Sequence, residues 1–519
     1  MTTWIHKPAS PAPSRNPNGP LGGLRMAVKD NIDVAGMPTT AACPSYAYTP
    51  DTSAPVVEAL LNAGAVCVGK TNLDQFATGL VGTRSPYGPC RNAFHPDYIS
   101  GGSSSGSAVA VATGEADFAL GTDTAGSGRV PAAFNKLIGL KPTKGLLSTQ
   151  GVVPACASLD CVSIFAKTVD MARTVLRACA PPSTASFPGG PWRIGVADPD
   201  ALFFDNDASA KAAYAAALAQ WQTLGHTLVF IDPAPFLAAA RLLYEGPFVA
   251  ERYAAVGAFL DTEPADADPT VSAIIRSGAH HPAHALFTAM DTLRELQAET
   301  QSLWQQMDLL MLPTAPTCYR IDEVQANPLT LNSRLGTYTN FVNLLDLCAI
   351  AVPCGTLASG IPTGITLLAP AHQDEALLHA ADVFLSDAEA QSIHTITLAV
   401  LGAHLRGMPL HHQLTDLNAR FLRAARTSPD YQFYALADTQ PPKPGLVRVS
   451  EGGAPIEVEL YELTPDAFGR FVANIPPPLG IGTLQLEDGT HVKGFLCEPH
   501  ALKNAQDITP LGGWRAFMA

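Results

Sequence analysis

The sequence predicts an α/β fold followed by a second, mainly β domain. A helix is expected over Pro55–Leu61 with Ser53 as its cap, and a short apolar strand over Ala65–Val68 comes next. This order is typical of a parallel sheet covered by helices. Between Leu446 and Leu496 the chain instead carries many short β-like runs, with a hairpin turn at Glu487–Gly489. At 519 residues the chain is also longer than one ordinary domain.

The same patterns predict further elements and the domain limits. Helices are expected over Ala108–Thr113, Ala210–Leu224, roughly Ala285–Met307 and Asp374–Leu385. Strands are expected over Asp117–Gly121, Leu309–Leu312, Cys348–Val352, Gly364–Leu368 and Thr397–Gly402. Because the character of the sequence changes near residues 388–398, we expect a flexible lead over 1–20, a first domain over 21–390 and a second over 398–519.

Composition excludes several classes of protein. A formal net charge of −14 argues against nucleic acid as a partner, because such proteins carry basic patches. The ten cysteines are scattered without a C-x-x-C pair, which is typical of a reduced compartment. The amino terminus lacks the apolar stretch of a signal peptide, and no run reaches the ~18 apolar residues of a membrane span. We therefore expect a cytoplasmic protein without membrane contact.

Two serine clusters in glycine-rich turns carry the strongest chemical pattern. Ser103–Ser105 and Ser127 lie in Gly101–Ala132, separated by an apolar run, and no histidine is near either cluster. A nucleophilic serine needs a base. Lys29, directly after a short apolar segment, is the candidate, since serine–lysine pairs are a known variant of serine-hydrolase chemistry.

Five ordered blocks resemble the amidase signature family. They are AVKDNIDV with Lys29, GKTNLDQFATG, GGSSSGSAVA, GTDTAGSGRVPA and GLKPTKG. The resemblance implies a mixed central sheet covered by helices and a Ser–cis-Ser–Lys triad. In that triad Ser127 is the nucleophile, Ser103 the cis-serine that relays the proton, and Lys29 the base. Ser104 replaces Ser103 if the register is shifted by one residue.

The surroundings of Ser127 suggest how the triad works. The backbone N–H groups of Thr124, Ala125 and Gly126 lie in a tight turn and are expected to form the oxyanion hole. Arg129 is expected to pair with Asp123 structurally. Burial at the end of an apolar strand should lower the pKa of Lys29, so we expect activity to rise on the alkaline side of neutrality.

Three features favour the allophanate hydrolases within this family. The nucleophile loop reads AGSGRVPAAFN, where the commoner amidase form is closer to GGSIRxPA. Tyr244 and Arg252 match, by their spacing of eight residues, the tyrosine and arginine that contact substrate in allophanate hydrolases. An arginine suits a carboxylate-bearing substrate. The alternative for Arg252 is a surface pair with Glu251 or Glu245.

The carboxyl end supplies the third feature. Ala399–Leu414 resembles the start of the allophanate-hydrolase C-terminal domain, which is related in fold to γ-glutamyl cyclotransferases. In some members this domain is implicated in decarboxylating the first product. His412 is the matching histidine, although an ordinary packed or surface histidine is the competing interpretation and His411 lies beside it.

The resemblance therefore implies hydrolysis of allophanate to ammonia and N-carboxycarbamate, which decarboxylates to ammonia and CO2. It implies a homodimer, no cofactor and no metal; His280-His281-x-x-His284 lacks the glutamate of a zinc motif. It also implies a functional link to a separate urea carboxylase or biuret hydrolase.

Three alternatives stay open: a general small-molecule amidase, a binding or assembly module with a vestigial site, and an α/β-hydrolase-type esterase. The last rests on a G-x-S-x-G match centred on Ser104.

Overall fold

The computed structural model describes residues 2–181, 185–188, 191–391, 396–417, 419–437 and 439–519. Internal contacts divide the chain into a first unit, Met1–Asp387, and a second unit, Ala388–Ala519.

The helices and strands alternate through the first unit, and strands dominate the second. The helices are α1 (Pro55–Asn62), α2 (Ser105–Ala112), α3 (Val130–Phe134), α4 (Val169–Cys179), α5 (Ala208–Thr223), α6 (Ala234–Glu245), α7 (Ala250–Leu260), α8 (Pro269–Ser277), α9 (Ala283–Leu303), α10 (Ile321–Ala326), α11 (Thr330–Leu335), α12 (Phe341–Leu344), α13 (Asp374–Gln391), α14 (His412–Thr415), α15 (Pro465–Ala473) and α16 (Trp514–Met518). The strands of the first unit are β1 (Trp4–His6), β2 (Arg25–Lys29), β3 (Val66–Thr71), β4 (Phe118–Thr122), β5 (Ile138–Lys141), β6 (Val162–Ala166), β7 (Arg193–Val196), β8 (Thr227–Phe230), β9 (Leu309–Pro313), β10 (Leu347–Thr356) and β11 (Pro362–Pro370). Those of the second unit are β12 (Ile396–Val400), β13 (Arg420–Arg426), β14 (Tyr431–Ala435), β15 (Pro444–Arg448), β16 (Glu457–Leu463), β17 (Leu479–Gln485), β18 (His491–Cys497) and β19 (Gln506–Asp507).

One eleven-stranded sheet forms the centre of the first unit, in the order β1-β3-β2-β4-β6-β5-β10-β11-β9-β7-β8. Strand β2 runs parallel to both of its neighbours, and β7 does the same between β9 and β8. The remaining pairs are antiparallel. The mixed sheet covered by helices is therefore confirmed, and the expectation of a parallel sheet from helix–strand alternation was right only for these two groups of strands.

The three parallel strands β3, β2 and β4 bring three distant segments to one edge of the sheet. Lys29 ends β2 opposite Thr71 of β3, and Thr122 ends β4. Because parallel strands end at the same edge, the segments that follow them converge there, and this edge is where open α/β sheets usually bind ligands. Strand β4 is buried throughout, as its uninterrupted apolar sequence predicts.

Helix α2 covers this part of the sheet with small side chains. Its first seven residues, Ser105–Val111, are all buried, and it packs on both β2 and β4. A helix without a polar face must be enclosed by neighbouring elements. Its start is therefore fixed directly above the strand ends.

The second unit contains a five-stranded sheet, β13-β16-β12-β18-β17, and a three-stranded sheet, β15-β14-β19. Strands β17 and β18 are antiparallel from Leu479 opposite Cys497 to Gln485 opposite His491, so the hairpin turn predicted at Glu487–Gly489 is confirmed. The smaller, mainly β unit has its own core, which includes Leu398, Phe433, Val458 and Trp514.

Two local expectations were wrong. Ser53 does not cap α1; its Oγ accepts a hydrogen bond from Ala35 N–H, and the N-cap position is Ala54. The lead over residues 1–20 is not loosely attached, since β1 pairs with β3 and Ser14 Oγ donates to Gly64 O. Among the residues described, no helix is long and apolar enough to cross a membrane.

Candidate active site

Lys29 lies at the centre of the converging segments. Its side chain is fully buried, with Nζ 2.7 Å from Ser103 Oγ and 2.6 Å from Thr122 Oγ1. Strand β2 delivers the amine to the sheet edge, and the turn before α2 delivers the serine. Two residues that are 74 positions apart in sequence are thus brought into direct contact.

Burial controls the charge of this amine. Desolvation lowers the pKa of Lys29 to about 7, from an ordinary value of 10.5. The carboxylates of Asp74, Asp160 and Asp123 oppose this shift, whereas the guanidinium of Arg252 adds to it. A large fraction of Lys29 is therefore neutral near pH 7, as a general base must be.

The structure distinguishes between the neighbouring serines. Ser103 follows a cis peptide bond, Gly102–Ser103, and its hydroxyl faces Lys29. The hydroxyl of Ser104 instead donates to Thr122 O at 3.1 Å. The residue in contact with the lysine is therefore Ser103, and the alternative register with Ser104 does not have this contact.

The loop that carries Ser127 is held by a buried ion pair. Asp123 accepts from Arg129 Nε and Nη2, both at 2.9 Å, and neither side chain is exposed. Burial alone would raise the pKa of Asp123, but the guanidinium of Arg129 holds it below its ordinary value. The expected structural pairing of Arg129 is confirmed, and it fixes the buried Ser127 between the two partners in sequence.

The backbone donors of this loop differ from the expectation in one respect. Gly126 N–H donates to Asp123 Oδ1 at 2.7 Å, so this donor is already engaged. Within the described part of the chain, no acceptor binds the N–H of Thr124 or Ala125. Thr124 and Ala125 therefore keep donors for an oxyanion, and Gly126 does not in this conformation.

Tyr244 and Arg252 are brought together, as their spacing suggested. Arg252 Nη2 donates to Tyr244 Oη at 3.0 Å, and Nη1 donates to Thr78 Oγ1 at 2.9 Å. Arg252 is only 2% exposed, which excludes the alternative of a surface pair with Glu251 or Glu245. Its Nε is buried without a hydrogen-bond partner, and no carboxylate among the described residues lies within ion-pair distance.

Two buried carboxylates in the site were missed by sequence reasoning. Asp74 accepts from the N–H groups of Val81, Gly82 and Arg84, and its own N–H donates to Ser103 O. Asp160 accepts from Thr124 Oγ1, and burial raises the pKa of Asp160. Asp74 lies in the GKTNLDQFATG block of the sequence, and its membership of that block was the signal that could have identified it.

The second unit contains His412, the histidine that was expected to act in decarboxylation. His412 is exposed with Nδ1 3.0 Å from Pro409 O, and His411 Nε2 is 3.0 Å from Tyr461 Oη. Neither lines the cavity of about 180 Å³ in this unit, whereas His404 and Lys443 do. The His404 ring stacks on Phe495.

His404, which the sequence pattern did not single out, lines this cavity. Its Nε2 lies 3.0 Å from Gln413 Oε1, and burial lowers its pKa, which favours a neutral imidazole. No group of His, Cys, Asp and Glu side chains in the described ranges could hold a metal ion.

Comparisons with known proteins agree with this geometry. The amidase family profile matches residues 6–378, and the profile of the allophanate hydrolase C-terminal domain matches residues 396–519. The urea amidolyase of Saccharomyces cerevisiae is 44% identical over 96% of this chain, which spans 30% of that protein's length. The solved allophanate hydrolase of Kluyveromyces lactis is 42% identical with a TM-score of 0.71, covering 99% of this chain and 93% of that chain.

A more distant relative matches a smaller share of the chain. In the glutamyl-tRNA(Gln) amidotransferase of Synechococcus, the matching subunit is 33% identical over 72% of this chain and 86% of its own length. One family profile thus matches most of the chain, over residues 6–378. This chain belongs to the amidase family.

Proposed function

We propose that the chain hydrolyses the terminal amide of allophanate, with Ser127 as nucleophile, Ser103 as proton relay and Lys29 as base. The products are ammonia and N-carboxycarbamate, which decarboxylates to ammonia and CO2. The family resemblance, the match to the allophanate hydrolase of Kluyveromyces lactis and the chemistry of the buried site support this assignment.

The buried, unpaired guanidinium of Arg252 is the observation that carries the choice of substrate. A buried charge is normally paired, and among the described residues Nε has no hydrogen-bond partner while Nη1 and Nη2 donate to hydroxyl groups. A substrate carboxylate supplies the missing charge and the planar acceptor geometry that arginine prefers. Allophanate carries such a carboxylate, and a simple neutral amide does not.

The proposed proton path runs from Ser127 through Ser103 to Lys29, and the contact between Ser103 Oγ and Lys29 Nζ is 2.7 Å long. Neutral Lys29 accepts a proton from Ser103, which accepts the proton of Ser127 as the Ser127 oxygen attacks the carbonyl carbon bearing the terminal NH2. The developing oxyanion lies against the N–H groups of Thr124 and Ala125. One donor of this type contributes about 10²–10³ in rate. Ser103 then returns the proton to the departing ammonia, and water hydrolyses the acyl-enzyme to N-carboxycarbamate.

The second unit takes part in the second step of the proposal. His404, whose pKa is lowered by burial, and Lys443 both line the same small cavity, whose other walls are mainly apolar. Decarboxylation is favoured where a carboxylate is held out of water and its departing electrons are stabilised by a nearby cation. We assign this role to the cavity of His404 and not to His412.

The proposal also covers the compartment, the oligomeric state and the linked activity of the enzyme. We propose a cytoplasmic homodimer with functional domains at 21–390 and 398–519, linked to an activity that carboxylates urea or hydrolyses biuret. All ten cysteines are free thiols, which fits a reducing compartment. The urea amidolyase relatives support the link to urea.

Ammonia release from allophanate tests the proposal directly. The unaltered chain should release ammonia at mildly alkaline pH, and Ser127→Ala should release none above an enzyme-free blank, because the attacking oxygen is lost. Ser104→Ala should retain activity, since its hydroxyl contacts the backbone of β4 and not Lys29.

Arg252→Ala separates allophanate from neutral amides. Its kcat/KM for allophanate should fall by about 10²-fold or more, as for loss of one partner of a buried charge pair, while turnover of propionamide stays within about threefold. Propionamide turnover by a chain that does not hydrolyse allophanate would instead identify a general amidase.

The pH profile tests the role of Lys29. Because its active form is neutral and burial lowers its pKa to about 7, kcat/KM should be lost as the pH falls through 7 and reach a plateau above about 8. The measurement is initial ammonia release between pH 5.5 and 9 with blanks at each pH. A flat profile across this range would count against titration of Lys29.

The stoichiometry of ammonia release tests the second unit. With His404→Ala, one equivalent of ammonia per allophanate should appear at the normal rate and the second should be delayed, because decarboxylation is slowed. His412→Ala is the matched control and should release both equivalents as the unaltered chain does. Identical time courses for all three proteins would remove the second unit from the chemistry.

A further inference from the structure

The loop over Ala155–Asp160, immediately before β6, touches both halves of the candidate site. We call it the connecting loop. Its first end faces the segment that carries Ser127, and its exposed tip faces the start of α7, which carries Arg252. Both contacts are made by carboxylate groups, which form the stronger hydrogen bonds.

The inner contact joins the connecting loop to the nucleophile loop. Thr124 Oγ1 donates to Asp160 Oδ1 at 2.5 Å, and the N–H groups of Ala155 and Cys156 donate to the same carboxylate. Asn343 Nδ2 adds a second connection, because it donates to both Leu159 O and Asp123 O at 2.7 Å. The inner end therefore cannot move without moving the segment around Ser127.

The outer contact joins the same loop to the helix of Arg252. Glu251 accepts from Ser158 N–H at 2.9 Å and from Ser158 Oγ at 2.7 Å. Both carboxylate oxygens of Glu251 accept a hydrogen bond, so the contact fixes the orientation of this carboxylate as well as its distance from Ser158. Glu251 also lies in the first turn of α7, where a negative charge is favourable.

Arg252 depends on this contact for its position. Its guanidinium is held by two hydroxyl groups and by no carboxylate among the described side chains, so its placement relies on the backbone at the start of α7. Gly246 and the Pro247–Val249 turn precede this point, and α7 is separated there from α6. A fixed start of α7 therefore fixes the guanidinium.

We propose that Glu251 is a positioning residue which, through Ser158 and the connecting loop, sets the place of Arg252 relative to Ser127 and so makes the site selective for short amides that end in a carboxylate. This inference rests on the proposed function. Glu251 touches neither substrate nor the reacting atoms. Its effect is confined to substrates whose carboxylate reaches Arg252.

The test compares Glu251→Gln with Glu245→Gln. Glu245 ends α6 directly after Tyr244, is exposed, and makes no contact with the connecting loop within the described ranges, so both variants remove one negative charge next to a substrate-binding residue. Glu251→Gln should raise the KM for allophanate about fivefold, as for a weakened charged hydrogen bond, with kcat within twofold. Glu245→Gln should leave both constants unchanged.

A coupled variant shows whether Glu251 acts through Arg252. In an Arg252→Ala background, adding Glu251→Gln should change kcat/KM for allophanate by less than twofold, because the group being positioned is absent. A further fivefold loss in that background would overturn the proposal. A fall in kcat with unchanged KM in the single variant would overturn it as well, since that pattern indicates a disturbed catalytic group or a smaller folded fraction.

The two proposals fail in different ways. If the unaltered chain releases no ammonia from allophanate, the proposed function is wrong, and this inference is lost with it. If the unaltered chain turns over allophanate and Glu251→Gln behaves like Glu245→Gln, the positioning role alone is wrong.

Discussion

The burial of one amine is the constraint on which the rest of the site depends. Lys29 can act as a base only if it loses its proton near neutral pH. Its burial at the end of the parallel strands β3, β2 and β4 lowers its pKa into that range. Three carboxylates nearby would restore the charge if they dominated, but desolvation outweighs them. The fold therefore holds against Ser103 a lysine whose pKa is lowered to about 7, so that in the proposed mechanism it can take the place of a histidine.

The surrounding groups divide the remaining tasks. The Asp123–Arg129 pair is buried, with the charge of each partner balanced by the other, and it holds the loop that carries Ser127. Arg252 is buried, and its Nε has no hydrogen-bond partner among the described residues, which is the group that the proposed anionic substrate would pair with. Asp160 connects the two regions through its contact with Thr124 and the loop that reaches Glu251. In the proposed mechanism, catalysis and substrate selection would therefore share one continuous set of contacts.

The sequence identified the residues of the centre better than their partners. Lys29, Ser103 and the Arg129–Asp123 pairing followed from ordered blocks and local spacing. The engaged N–H of Gly126 was missed, although an aspartate three residues earlier is a common acceptor in such turns. His412 was named from the family resemblance, and His404 was not considered, because the cavity that it lines is shared with Lys443 and Phe495, which are distant in sequence. The strand order was also beyond reach, since helix–strand alternation does not reveal antiparallel neighbours.

Direct titration of Lys29 tests whether its amine loses a proton near neutral pH. Nuclear magnetic resonance of the chain with ¹³Cε-labelled lysine, with the Lys29 signal assigned by its loss in Lys29→Arg, gives the pKa of this amine without any assay of activity. We expect a midpoint near 7, well separated from those of exposed lysines. A midpoint near 10.5 would show that the carboxylates outweigh desolvation and that Lys29 is charged at neutral pH, which would contradict its role as the base.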